Sequence, residues 1–260
     1  MFKIPKRVLD RFRTELKRYG KVTASIRSRD VSEADTVTVV KDMLADVFGF
    51  DKYLELTSEQ QIRGTYCDLA VKIDGKIKYL IEVKSAGTDL NESHIRQAIN
   101  YGAKEGIEWI VLTNGISWHL YRLKFAQPIE HEEVSFFDAT QIDLKKEDDQ
   151  KKLFLLSREA ISGNAMDEYH KHSQLLNMYT IAQVLMTEPV VNATRREFRK
   201  LFPDFKVDKE EIAQIISEEI LKREVAESDK AQDAAKNVKK AAKSLARRQA
   251  KAAAAKGSAG

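Results

Sequence analysis

A mixed α/β domain, followed by a helical region and a basic tail, is the architecture this sequence encodes, on three grounds. Two runs with strand-like alternation, CDLAVKI (67–73) and KIKYLIEVK (76–84), flank Asp74-Gly75, a strong hairpin signal. A second pair, EWIVLTNG (108–115) and ISWHLYRL (116–123), turns at Asn114-Gly115. Segments with helical apolar spacing precede and separate these pairs, giving the order α–α–β–β–α–β–β over the first 125 residues.

Residues 5–19 space Val8, Phe12 and Leu16 along one helix face and are expected to end at Gly20. Ser32 is an N-cap candidate for the next helix, which carries Val37, Val40, Leu44 and Val47 on one face and stops at Gly49. Residues 53–57 read as a short strand, and 89–104 as a helix with Asp89 or Asn91 near its cap. The polar stretch 126–150 reads as irregular. Residues 151–187 and 208–225 read as helical, with Pro189 and Pro203 as breaks. Beyond about residue 226 the Ala/Lys-rich tail has few apolar anchors and is expected to be disordered or a lone helix. The expected divisions are a basic N-terminal helix (1–29), the α/β domain (30–140), a helical region (150–225) and the tail (226–260).

Composition narrows the function classes. No apolar run approaches the roughly 20 residues of a membrane helix, and the basic N-terminus lacks an apolar signal core, so an intracellular, cytoplasmic protein is expected. The single cysteine, Cys67, excludes an internal disulfide and a cysteine-based zinc site. A net charge of +4 conceals an uneven distribution. Residues 1–29 hold ten Lys/Arg and two acids, residues 234–260 hold eight Lys/Arg and no acid, and the stretch between carries a net −12. Basic termini of this kind suit nucleic acid or another acidic surface, and equally suit plain solubility.

The hairpin carries the chemistry. Leu69, Val71 and Ile73 share one face of its first strand, and Ile77, Tyr79, Ile81 and Val83 share one face of its second. A three-residue loop, 74–76, lets these two sets share one side, and it sets Asp68 opposite Glu82 with Lys84 two residues further along. Facing carboxylates repel unless a cation lies between them. Mg²⁺ favours such a site, holding one or two carboxylates, several waters and a phosphate oxygen, and Mn²⁺ can substitute. Lys84 can position water and stabilise developing negative charge, and the Val83 carbonyl is a further candidate metal ligand. Glu33, four residues before Val37, projects from the inward helix face, either as a third acid of the site or as a carboxylate favoured by the helix dipole. Gln97 and Tyr101 share a helix face one turn apart and can bond the lysine, a base or a phosphate, or be ordinary surface residues. His170 and His172 diverge on a helix and do not suggest a shared metal. Trp109 and Trp118 read as core, and the cluster Arg195, Arg196, Arg199 and Lys200 as a phosphate contact or a solvated face.

Asp68 with Glu82-Val83-Lys84 resembles the PD-(D/E)xK nuclease signature, and Gln97-Ala98-Ile99-Asn100-Tyr101 resembles the QxxxY motif of its RecB-like members. The stretch from Ser32 through IEVKSAG, RQAINYG and WIVLTNGISWHLYRL, about residues 30–125, is similar to the N-terminal nuclease domain of type I restriction enzyme R subunits. That resemblance implies a restriction-endonuclease-like mixed β-sheet core flanked by helices. It also implies a Mg²⁺-dependent DNA endonuclease in restriction-modification or phage defence, with other restriction-system subunits as possible partners. Asp68 and Glu82 would hold the metal, with Glu33 as a third acid. Lys84 would assist the attacking water, and Gln97 and Tyr101 would orient lysine or substrate. Two departures stand out: Tyr66-Cys67 replace the proline of the signature, and no G-x-x-x-x-G-K-[ST] loop marks an ATP site. The alternative is a nuclease-fold subunit that binds DNA or protein without cutting.

Overall fold

The computed structural model describes residues 2–29, 31–62 and 65–257, and it divides into two compact units, residues 1–170 and 171–260. The first unit is built on one six-stranded sheet. Its strands are β1 (Leu56–Ile62), β2 (Thr65–Ile73), β3 (Lys76–Val83), β4 (Trp109–Thr113), β5 (Ser117–Lys124) and β6 (Glu130–Asp138). They lie in sequence order, all antiparallel except the parallel pair β3–β4. That parallel step needs a crossover, supplied by a 3-10 turn (Glu92–Ile95) and helix α3 (Arg96–Glu105).

Both faces of the sheet are covered. Helices α1 (Lys6–Arg29), α2 (Glu33–Asp46) and α4 (Glu147–Leu155) pack on one face, where Val8, Phe12, Val40, Leu44, Leu153 and Phe154 join Leu69, Val71, Tyr79, Ile81 and Val83 in the main core. On the other face α3 presents Ala98, Tyr101 and Gly102 at helical spacing. Ala98 packs with Ile95, Ile110 and Leu112, and Tyr101 with Cys67, Ala70 and Leu80.

The hairpin departs from its expected loop. Asp74 and Gly75 both take positive φ, and Ile73 pairs with Lys76, so the turn has two residues, not three. The register then shifts, from Lys72↔Ile77 to Val71↔Tyr79, which leaves Lys78 as an extra bulged residue. Beyond the bulge, Leu69↔Ile81 has the expected register. The bulge also turns Ile77 to the α3 face, among Ala70, Leu80 and Ile107, away from the set in which alternation placed it.

Other differences have local causes. Helix α1 runs through Gly20, because Thr23 and Ile26 beyond it are buried and the glycine's surroundings are open. This basic helix is part of the core, not a loose arm: Val8 and Phe12 are fully buried, and Arg11 bonds Glu159 at 2.8 Å. Strand β6 occupies the polar stretch expected to be irregular; as an edge strand it buries only Ser135 and Phe137. Helix α4 and helix α5 (Arg158–Ser162) belong to the first unit, since Leu153–Leu156 and Ala160 join its core. Trp109 and Trp118 are buried, as expected.

Helix α6 (Ala165–Leu175) contains the division between the units. The second unit comprises α7 (Met178–Leu185), α8 (Glu188–Leu201), α9 (Lys209–Ile215) with a π-helical turn (Ile216–Ile220), α10 (Arg223–Glu227) and α11 (Asp229–Gly257). Pro189 starts α8 instead of breaking a helix, a position where its missing N–H costs nothing. The tail expected to be disordered or a lone helix is α11, whose Ala231 and Ala234 are buried; residues 258–260 lie outside the described residues. Among the described residues no helix is long and apolar enough to cross a membrane.

Candidate active site

The site lies at the C-terminal end of β3. Glu82 is the penultimate residue of that strand and Lys84 the first beyond it, so both point to the α3 side of the sheet. The lysine's backbone is fixed by the neighbouring strand, its N–H donating to the Thr113 carbonyl at 2.8 Å. Asp68 comes from β2, and its Oδ2 accepts the Val83 N–H at 2.7 Å. Val83, expected as a carbonyl donor, therefore also fixes the aspartate through its amide.

Helix α2 brings the third acid. Ser32 caps it by accepting the Asp35 N–H at 3.2 Å. Its first turn is seated on the Asn114-Gly115 turn. A Cβ at Gly115, where φ is +80°, would meet Ile26, Thr36 and Val40 at 3.4–3.8 Å. Those distances are ordinary van der Waals contact, so it is the positive φ that calls for glycine at this point. Seated there, the helix holds Glu33 Oε2 3.5 Å from Lys84 Nζ.

The lysine thus sits between acids from two elements, since its Nζ also lies 2.6 Å from Glu82 Oε1. Glu82 is nearly sealed, with 6% of its side chain exposed, against 20% for Lys84 and 50% for Glu33. Burial pushes the Glu82 carboxyl up to about 7. Its hydrogen bond to Lys84 pulls the other way, and the charges of Asp68 and Glu33 add to the push. Burial works to lower the Lys84 ammonium, but the bond to Glu82 and the charges of Glu82, Glu33 and Asp68 outweigh it, so its pKa is raised. Lys84 is a held cation.

The second hairpin supports this arrangement in a way that sequence reasoning does not reach. Asn114 Oδ1 accepts the N–H groups of Ile116 and Ser117, while its Nδ2 donates to the Thr88 carbonyl at 3.0 Å. Thr88 in turn shares a 2.7 Å hydrogen bond with Ser85. The Thr113-Asn114-Gly115 turn therefore ties down the segment that leaves Lys84 and seats the helix that carries Glu33. The turn itself is legible in the sequence; its supporting role follows only from the pairing of β4 with β3.

The structure gathers Asp68, Glu82, Val83, Lys84 and Glu33. It does not gather Tyr101 with them. The tyrosine is fully buried beside Cys67, Ala70 and Leu80, and among the described residues its hydroxyl has no hydrogen-bond partner. It is a core residue because α3 turns the 98, 101, 102 side of its surface onto the sheet. Gln97, about 40° away around the helix, is exposed.

The donor set fits Mg²⁺ in kind: hard carboxylate oxygens, one of them nearly buried, beside an amine that does not coordinate such ions when protonated. Among the described residues no group of three or more His, Cys, Asp or Glu side chains forms a cage for an ion. No family model matches the chain, and searches of curated proteins and of solved structures find no match.

Proposed function

We propose that the first unit is a Mg²⁺-dependent DNA endonuclease of the PD-(D/E)xK kind, with its active site at Asp68, Glu82 and Lys84. The observation that carries this reading is the convergence on one ammonium group, that of Lys84 just beyond β3, of a glutamate from β3 and a glutamate from α2, with the charge of an aspartate from β2 also acting on it. An ordinary ion pair needs one acid, whereas three acids around one base leave an excess of negative charge that a divalent cation would relieve.

Asp68 and Glu82 would hold the ion, Mg²⁺ or in its place Mn²⁺, with Glu33 and the Val83 carbonyl as further donors. A bound ion would supply Lewis acidity toward the phosphate and acidify water beside it. The chain's own residues do the rest. Asp68 is kept in one orientation by the Val83 N–H, so no reorganisation is required of it during reaction. Lys84, kept protonated by its acids, meets the negative charge that builds on the phosphate oxygens as the water oxygen attacks. Glu33, the most exposed of the acids, would add its carboxylate to the donor set from the solvent side. The proposed substrate is DNA, in a restriction or phage-defence setting and with other restriction subunits as partners, which rests on the motif resemblance.

Incubating the purified chain with supercoiled plasmid tests the proposal. Nicked and linear products should form with Mg²⁺ or Mn²⁺ and disappear with EDTA or in Asp68→Ala. Intact plasmid under all metal conditions would argue for a fold that binds without cutting.

A further inference from the structure

Helix α8 carries a basic face that this chemistry does not use. Arg195 and Arg199 are one turn apart, with Asn192 and Arg196 beside them at helical spacing. Together with Pro189 these residues line a cleft of about 540 Å³. The face is partly built in place: Arg195 Nε donates to the Val207 carbonyl at 3.1 Å, and Arg199 Nη2 lies 3.5 Å from the same oxygen.

Among the described residues none of the three guanidinium groups is ion-paired with a carboxylate. Two acids of this region are engaged by lysines, Glu197 by Lys200 at 2.7 Å and Glu188 by Lys209 at 3.1 Å, although Arg196 adds to the field on Glu197. Like charges at helical spacing destabilise one another, so the face gains from an anion. Guanidinium groups fit phosphate in particular, because their fixed donors match its oxygens.

The end of the same helix and the loop that follows it supply flat apolar surface. Phe198 packs against Phe202 and Phe205 with ring centroids 5.0 and 5.9 Å apart, yet Phe202 and Phe205 stay 54% and 58% exposed. Phe202 follows Arg199 by three positions, and Phe205 lies two residues before the Val207 that anchors the arginines. A cationic cleft with exposed aromatic rings a few residues further along the chain suits a strand with unpaired bases. An acidic peptide would match the charge but not the rings.

We propose that this face of the second unit binds single-stranded nucleic acid, with phosphates on Arg195, Arg196 and Arg199 and an unpaired base against Phe202. The site lies wholly within the second unit and does not rest on the nuclease reading.

Fluorescence anisotropy of a short labelled oligothymidylate with the full chain in EDTA, over a range of salt, tests the site without metal or cleavage. The double variant Arg196→Ala/Arg199→Ala leaves the Arg195–Val207 bond in place. It should weaken binding about tenfold or more, and flatten the salt dependence by roughly 0.7 in logarithmic slope for each phosphate that is no longer neutralised. Phe202→Ala should weaken binding roughly fivefold or more with the slope unchanged. The corresponding double lysine variant should keep the slope. Unchanged affinity and slope in the double alanine variant, with its circular dichroism intact, would overturn the site and move any binding to α11. Competition by polyglutamate as effective as that by oligothymidylate would overturn it too, as would full affinity in Phe202→Ala.

Discussion

The ammonium of Lys84 lies 2.6 Å from the carboxylate of Glu82, two residues earlier in the same extended segment. Alternation along a strand puts both on one side of the sheet, and burial of Glu82 concentrates the interaction. With Glu33 at 3.5 Å on the same nitrogen, the lysine links the sheet to helix α2. Its value to the protein is a positive charge at a fixed position, surrounded by more acids than it can satisfy.

That excess of acid predicts a stabilising response to divalent ions. Mg²⁺ or Mn²⁺ well above its dissociation constant should raise the melting temperature, by the equivalent of about 2.7 kcal/mol at a hundredfold excess. Asp68→Ala should abolish most of the shift. Scanning calorimetry with and without EDTA checks this, and a wild-type melting temperature indifferent to both ions would remove the metal from the mechanism.

At Gly102 the usual helix rule should reverse. Alanine in place of a helical glycine ordinarily stabilises by about 1 kcal/mol. Here a methyl group would lie 2.9 Å from the Ile107 carbonyl oxygen and 3.0 Å from Leu123 Cδ1. Gly102→Ala should therefore destabilise by about 1–3 kcal/mol in urea unfolding, through displacement of α3 from the sheet. A stabilised variant would mean that α3 packs less closely than described.

The Arg11–Glu159 pair should make stability depend on acid pH. Burial raises the Glu159 carboxyl, but the hydrogen bond from Arg11 and its charge more than offset this, so its pKa falls below the ordinary 4.5. A carboxyl depressed on folding contributes stability above its unfolded pKa and loses it as pH falls through the folded one. The difference in unfolding free energy between wild type and Glu159→Gln should be full at pH 7 and shrink below about pH 4.5. Arg11 also donates to the Val47 carbonyl at 2.8 Å, so Arg11→Ala should cost more than Glu159→Gln. Equal, pH-independent losses would contradict this assignment.

Tyr101→Phe should be neutral or stabilising by up to about 1 kcal/mol, because the hydroxyl is buried without a hydrogen-bond partner among the described residues. Thermal unfolding checks it; a loss above about 1 kcal/mol would show that the hydroxyl has a partner after all.

Much of the first unit is legible in the sequence because its signals are local. The Asp74-Gly75 and Asn114-Gly115 turns, the Ser32 cap and the Asp68/Glu82/Lys84 spacing are all set by residues close in sequence. The loop expected at 74–76 is one residue longer than the turn that forms, yet the bulge at Lys78 restores the register at Leu69 and Ile81, and the charge of Asp68 acts on Glu82. Burial of both sheet faces is not legible. The small strand residues Cys67 and Ala70 give no alternating apolar pattern, and Tyr101 of α3 covers them only after the parallel crossover forms. Strand β6 escapes sequence reasoning for a related reason, since an edge strand pairs through its backbone and can keep an acidic, polar sequence. The support that Asn114 gives to Thr88 depends on the same long-range pairing.

At the centre of the proposed mechanism, Lys84 is the charge the site brings to a phosphate. The rate of Mg²⁺-dependent plasmid nicking by Lys84→Ala, relative to wild type and with circular dichroism unchanged, measures this directly. A loss of about 10²-fold or more is predicted, as for removal of one fixed electrostatic donor. Nicking at the wild-type rate by that variant would contradict it.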